Sequence, residues 1–198
     1  MKAELGGSVD RATRTEARQR TLYAIGRLVI EGRQRVCTVR NVSDNGIGIE
    51  LDRPLALGTR LEIEMRGLPL TPAEVCWVNG TRAGLALHRG AIGATTPRSN
   101  FTLRSPRFRF TREIGLRSAV EEAPARAIDV ALGGVKLSAP IFAPPGTSVV
   151  ASLDGQLEIR ARVCWHLPHA FGLRFAVPLS ARQLTALLER TAQEEMAE

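Results

Sequence analysis

Lysine is almost absent from this chain of 198 residues: Lys2 and Lys136 are the only two, so the formal net charge of +7 is carried by arginine. Cysteine is also sparse, with Cys37, Cys76 and Cys164 forming neither a CxxC pair nor a Cys/His cluster. That spacing argues against a disulfide scaffold and against structural zinc. All three are expected to be small buried hydrophobes. The three histidines, His88, His166 and His169, are scattered and suggest neither metal nor catalysis. No apolar run reaches the ~18 residues needed to span a bilayer, and residues 1–10 lack a signal-peptide pattern. A soluble, cytoplasmic protein with no membrane insertion is expected. There is no Ser-His-Asp or Cys-His logic, no P-loop and no paired-carboxylate pattern, so the chain is expected not to be an enzyme and to need no cofactor.

What the chain does have is arginine in two clusters and a repeat. One cluster is Arg11, Arg14, Arg18 and Arg20; the other is Arg98, Arg104, Arg107, Arg109 and Arg112. Each precedes a strand-like region, where such a block marks a solvated tail or an anion site. Shifted by 88 residues, the halves align without a gap over residues 41–85. Val42 falls on Val130, Gly46 on Gly134 and Gly67 on Gly155. The only two tryptophans, Trp77 and Trp165, coincide, and so do Cys76 and Cys164. Chance rarely sets such scarce residues in register, so one domain has been duplicated.

Each copy reads as all-β. In the first, short partly alternating runs cover 22–30, 35–42, 47–51, 60–65, 73–78 and 83–88. Arg60-Leu61-Glu62-Ile63-Glu64-Met65 has strict period two, with Leu61, Ile63 and Met65 on the face to be buried. Turn residues separate the runs at Glu31-Gly32, Asp44-Asn45-Gly46, Leu57-Gly58 and Asn79-Gly80. Strands this short and evenly spaced predict small antiparallel barrels in tandem, six-stranded each. The second copy keeps the rhythm from Ile114 to Phe175. Trp77 and Trp165, inside apolar strands, are expected to anchor the cores. After them a helix opens near Leu179, with Ser180 as N-cap and Leu184, Leu187 and Leu188 as its apolar stripe. The predicted organisation is a first barrel over residues 1–92, a linker at 90–100, and a second barrel plus C-terminal α-helix over 101–198.

Two short motifs carry chemistry. Arg14-Thr15-Glu16-Ala17-Arg18 is an RxxxR pair, and Asn41-Val42-Ser43-Asp44-Asn45-Gly46 follows 23 residues after Arg18 as an NxSxxG turn. Alone, the first would pass as an exposed basic tail and the second as a plain β-turn. In order, at this spacing and inside a barrel, they resemble the PilZ domain family. The later Val75-Cys76-Trp77 and Gly84-Leu85-Ala86-Leu87 segments are also similar to that family. The resemblance implies a receptor for cyclic di-GMP that acts on a partner protein.

The residue types suit that ligand. Arginine offers a planar fork to phosphate or to the O6/N7 edge of guanine, and it can stack on a base. Arg14 and Arg18 are assigned to phosphate and guanine, Asn41 and Ser43 to guanine edges, and Gly46 to a backbone role, with Arg20 and Arg40 as auxiliaries. Residues 1–20 hold few apolar side chains, so they are expected to form an arm that orders only when ligand is bound.

The second copy departs from the motif. Asp129 and Gly134 are in place, but Ala131 replaces the serine. Arg107, 22 residues before Asp129, fits the second arginine, and Leu103 stands where the first should be, with Arg104 adjacent. Arg107, Asp129 and Gly134 therefore form a degenerate site, expected to bind weakly or not at all. The alternative for the whole chain is a PilZ-like protein-interaction module that binds no nucleotide. Nucleic-acid binding is not expected: Arg104-Ser105-Pro106-Arg107-Phe108-Arg109-Phe110 could stack on single strands, but Phe108 and Phe110 are expected to face a core.

Overall fold

The computed structural model describes residues 20–43, 46–87, 104–138 and 143–195, with backbone only at 20–23 and 194–195. Arg14, Arg18, Asp44, Asn45, Leu103 and the 90–100 linker lie outside the described residues.

The first barrel is built from β1 (Arg20–Ile30), β2 (Arg33–Ser43), β3 (Gly46–Glu50), β4 (Arg60–Met65), β5 (Leu68–Asn79) and β6 (Arg82–Leu87). Its strands run in the order β1-β2-β3-β6-β5-β4, and pairing of β1 with β4 closes the ring. Glu31 and Gly32 connect β1 to β2 with φ of 50° and 77°, the left-handed pair that a two-residue hairpin turn requires. Period-two alternation sends Leu61, Ile63 and Met65 inward as expected, beside Leu28, Val39, Ile47, Ile49, Val75 and Leu85.

The second barrel comprises β7 (Phe108–Arg109), β8 (Glu113–Arg117), β9 (Glu122–Ala131), β10 (Gly134–Ser138), β11 (Ser148–Ser152), β12 (Glu158–Leu167) and β13 (Ala170–Phe175). Pairing of β9 with β10 closes it. Strands β7 and β8 both lie along β9 and are the two halves of one interrupted strand. The interruption has an origin in the repeat. Arg20 pairs with Val42 and Phe108 with Val130; in β1 the register then slips between Thr21 and Ala24, at the place where β7 ends. The 88-residue offset thus governs pairing from Arg20 to Leu87, further than sequence identity alone reaches. Even the bulges repeat, at Val75/Trp77 and Val163/Trp165.

Helix α1 (Ala181–Glu195) follows. Ser180 Oγ accepts the Gln183 N–H at 3.2 Å while Gln183 Oε1 accepts the Ser180 N–H at 2.9 Å, a reciprocal capping box. Leu184 and Leu187 are fully buried against the second core, together with Phe108 and Phe110. The two barrels touch. Val36, on the outer face of β2, is buried in the second barrel's apolar cluster, with Ile25 packed beside it. Burial of such a side chain contributes about 1.5–3 kcal/mol. Gln34 uses both ends of its amide on the backbone of Arg109, accepting its N–H at 2.9 Å and donating to its carbonyl. Arg53 reaches Glu189 on α1 at 2.9 Å.

Two sequence expectations fail. Cys37 is buried, but Cys76 and Cys164 are exposed. Trp77 is 46% exposed and Trp165 is half-buried, so neither is a core anchor. Cys76 and Cys164 follow the inward-facing Val75 and Val163 and point outward by ordinary alternation, while the bulge, where two residues oppose one of the neighbouring strand, keeps Trp77 and Trp165 from turning back inward.

Candidate functional site

Asn41 sits at a register slip of β2 against β3, between Val39 and Asn41. There its side chain does backbone work: Oδ1 accepts the Gly48 N–H at 3.0 Å. That bond orients the amide and leaves its NH2 group as the donor for an incoming acceptor. Two residues on, Ser43 Oγ donates to the Gly46 carbonyl at 3.2 Å, and its lone pairs remain as acceptors. Arg40, at the slip itself, pairs with Glu50 at 3.2 Å, and Arg82 approaches the same carboxylate at 3.8 Å.

Gly48 pairs with Gly84, and Gly84 with Trp77. The row Asn41–Gly48–Gly84–Trp77 therefore crosses four strands, β2-β3-β6-β5, on the outer face. Any Cβ on Gly48 would collide with the Asn41 amide, and one on Gly84 with the Trp77 indole. Both polar or aromatic groups thus lie flat on a floor of glycine. Gly46 borders that floor for a related reason: a Cβ there would come within 2.7 Å of the Leu85 carbonyl oxygen. Its φ is not in the left-handed region, so close approach of β6, not turn strain, demands glycine.

The structure brings Asn41, Ser43, Gly46 and Arg40 together around this floor. Arg20 pairs with Val42 through its backbone, at the same end of the barrel. Gly48 escaped the sequence reading, which took Gly84 only as part of a strand and Trp77 as a core anchor. The alternation Gly46-Ile47-Gly48-Ile49 was the available signal, since glycine at every second strand position leaves one face bare.

In the second barrel the same place is filled. Asp129 accepts from Arg107 Nη1 at 3.1 Å. Lys136 stands where the first barrel has Gly48, paired with Asp129 on one side and Gly172 on the other. Trp165 still lies over Gly172, and Gly134 still lets the Leu173 carbonyl approach. Arg107, expected as the second arginine of the degenerate site, is the counter-ion of Asp129.

The sequence matches the PilZ domain family over residues 12–93 and again over 102–193. The chain belongs to that family, as a tandem of two PilZ domains. No curated protein matches it. Similar solved structures include the Borreliella burgdorferi PlzA protein in complex with c-di-GMP, at 10% identity and TM-score 0.36, covering 86% of each chain. Another is the Bacillus subtilis inhibitor of motility MotI/DgrA, at 14% identity and TM-score 0.35, covering 88% of this chain and 96% of that one. A third is YcgR from Escherichia coli in complex with c-di-GMP, at 14% identity and TM-score 0.31, covering 88% of each. Among the described residues no cluster of three His, Cys, Asp or Glu could hold a metal, and no helix is long and apolar enough to cross a membrane.

Proposed function

We propose that the first PilZ domain is a cyclic di-GMP receptor whose ligand lies on the glycine floor. The observation that carries this is the row Asn41–Gly48–Gly84–Trp77, with an oriented amide at one end and an exposed indole at the other. With Asn41 lying on Gly48 and Trp77 on Gly84, a planar base can stack against the exposed indole and present its O6/N7 acceptors to the Asn41 NH2. Ser43 adds a hydroxyl at the rim. Arg14 and Arg18, upstream of β1, supply the forks for phosphate and for the second guanine. Ordering these residues onto the ligand changes the surface next to the floor, which is how a partner protein would sense the messenger. Calorimetric titration of the full chain with cyclic di-GMP, with GMP and a short RNA as controls, tests this: saturable binding of the dinucleotide alone is expected. Equal heats from all three would overturn it.

The second PilZ domain has a different role. Its Arg107–Asp129 pair and the side chain of Lys136 favour an interaction module that binds no cyclic di-GMP. Its contacts with the first barrel through Val36, Gln34 and Arg53 provide a route by which a change at one barrel is felt at the other.

A further inference from the structure

The two copies diverge sharply on one outer face. In the second barrel Arg117 on β8, Arg160 and Arg162 on β12, and Arg174 on β13 are all exposed. They surround a groove of about 940 Å3 that also takes in Ser148, Val150 and Cys164. Register fixes who neighbours whom. Arg162 lies between Ser148 and Arg174, while Arg160 pairs with Val150, which pairs with Arg117. Strands are about 4.8 Å apart and same-face residues of one strand about 7 Å apart, so the four arginine backbones sit roughly 5–10 Å from their nearest neighbours.

The first barrel is a built-in control. At the six matching positions it carries Val29, Arg60, Glu62, Pro72, Glu74 and Ala86, paired in the same way. One arginine and two glutamates there become four arginines and no acid here. The barrel therefore folds without these arginines. Among the described residues the carboxylates beside this patch are Glu158, 3.6 Å from Arg117, and Glu122, opposite Arg117 on β9; Arg160, Arg162 and Arg174 have no ion pair. Like charges held this close repel, and the acids beside Arg117 leave Arg160, Arg162 and Arg174 without an ion pair.

We propose that this face binds the phosphate backbone of a nucleic acid, without reading its sequence. A guanidinium fork matches phosphate geometry, and Ser148 adds a hydroxyl between the arginines. The groove offers no exposed aromatic ring, since Phe175, the aromatic residue lining it, is buried. It therefore lacks both a stacking platform for bases and the desolvated anchor of a protein interface. Its binding energy has to come from charge, which is the counterion-release mode of backbone recognition. The arginines concerned are not those of 104–110, where Phe108 and Phe110 are buried. The site does not depend on the glycine floor of the first barrel, so it can fail or stand independently of cyclic di-GMP binding.

Fluorescence anisotropy of the full chain with a short labelled DNA duplex of mixed sequence tests the idea. Four phosphate contacts predict a log–log salt slope of about −3.6, or roughly a hundredfold loss of affinity on a fourfold rise in salt. The variant Arg117→Val, Arg162→Glu, Arg174→Ala installs residues that the same fold already carries in its first copy, so it should fold. It should flatten the slope by about three. A control with the same change of charge, Arg66→Ala, Arg104→Ala, Arg126→Glu, should leave the slope within about one of the original. Equal loss in test and control variants would overturn the proposal, because net charge alone would explain the binding. So would displacement of the duplex by polyglutamate of matched charge, or binding to anionic vesicles with none to the duplex.

Discussion

Arg107 and Asp129 meet at 3.1 Å in the second barrel, at the position where Asn41 of the first barrel reaches across to Gly48. A carboxylate and its own counter-ion thus replace an oriented amide. Full-chain protein should accordingly show cyclic di-GMP binding at the first domain only. Arg14→Ala and Arg18→Ala should each weaken that binding at least tenfold, about 1.4 kcal/mol, and the double variant should leave no residual saturable heat. Testing isolated halves is unsuitable, because Val36 of the first barrel is buried in the second barrel's cluster. Wild-type binding by the double variant would show that the RxxxR pair takes no part.

The glycine floor makes a second set of expectations. Trp77→Ala removes an exposed ring without opening the core, so stability should change little. Binding should weaken by about 1–3 kcal/mol, the range for base–aromatic stacking. Gly48→Ala acts differently, because its methyl must displace the Asn41 amide from the Gly48 N–H. It should lower both stability and affinity, the former by about 1–3 kcal/mol. Thermal unfolding and titration of the same samples separate the two effects. Unchanged affinity in both variants would move the ligand off this face.

The strand pattern was legible because period-two alternation and turn residues need no tertiary information. The strands, the closed rings, the Ser180 cap and the Leu184/Leu187 stripe follow from it. The duplication was legible because Trp and Cys are scarce. The orientation of those same residues was not. A bulge is a property of two strands, and a Cys-Trp pair in an apolar run looks the same whether it faces in or out. Likewise, NxSxxG marked Asn41 and Ser43, but the floor between Asn41 and Trp77 exists only once β3 and β6 lie between them. The arginine face of the second barrel was invisible for the same reason, since its members come from three strands.

The thiols provide a check on the strand faces. Burial pushes the Cys37 thiol up to about 12, against the smaller opposing effects of its Gly26 backbone bond and Arg35. Cys37 should therefore remain an unreactive thiol while the barrel is folded. Cys76 and Cys164 are exposed and should be alkylated in the native protein. Mass spectrometry after brief iodoacetamide treatment should find two modified cysteines, rising to three only in denaturant. Rapid native labelling of Cys37, or protection of Cys76 and Cys164, would contradict the assigned strand faces.

Asp154 ties helix α1 to the second barrel, and its charge should make that tie depend on pH. The side chain is only 1% exposed; it accepts the N–H groups of Gln156 at 3.0 Å and Leu157 at 2.7 Å, and it pairs with Arg190 near the end of α1. Burial by itself raises the pKa of a carboxylate. Here the two backbone N–H groups and the Arg190 guanidinium outweigh it, and the carboxyl titrates below its ordinary value. A group whose folded pKa is depressed binds its proton more readily in the unfolded chain. Its stabilisation is complete above the unfolded value of ~3.9 and is lost as pH falls through the lower folded value. Asp154→Ala should therefore cost about 1.5–3 kcal/mol near neutrality, the range for hydrogen bonds to a charged group. The difference from wild type should shrink on acidification below pH ~3.9. Added salt should change the difference little, because the carboxylate is shielded from solvent. Asp154→Asn, which keeps one acceptor oxygen for the N–H groups but loses the charge, should fall between the two at neutral pH. Chemical denaturation of the three proteins over a pH series measures this directly. A gap between wild type and Asp154→Ala that stays constant into strong acid would mean that shape and hydrogen bonding, not charge, hold α1 to the barrel.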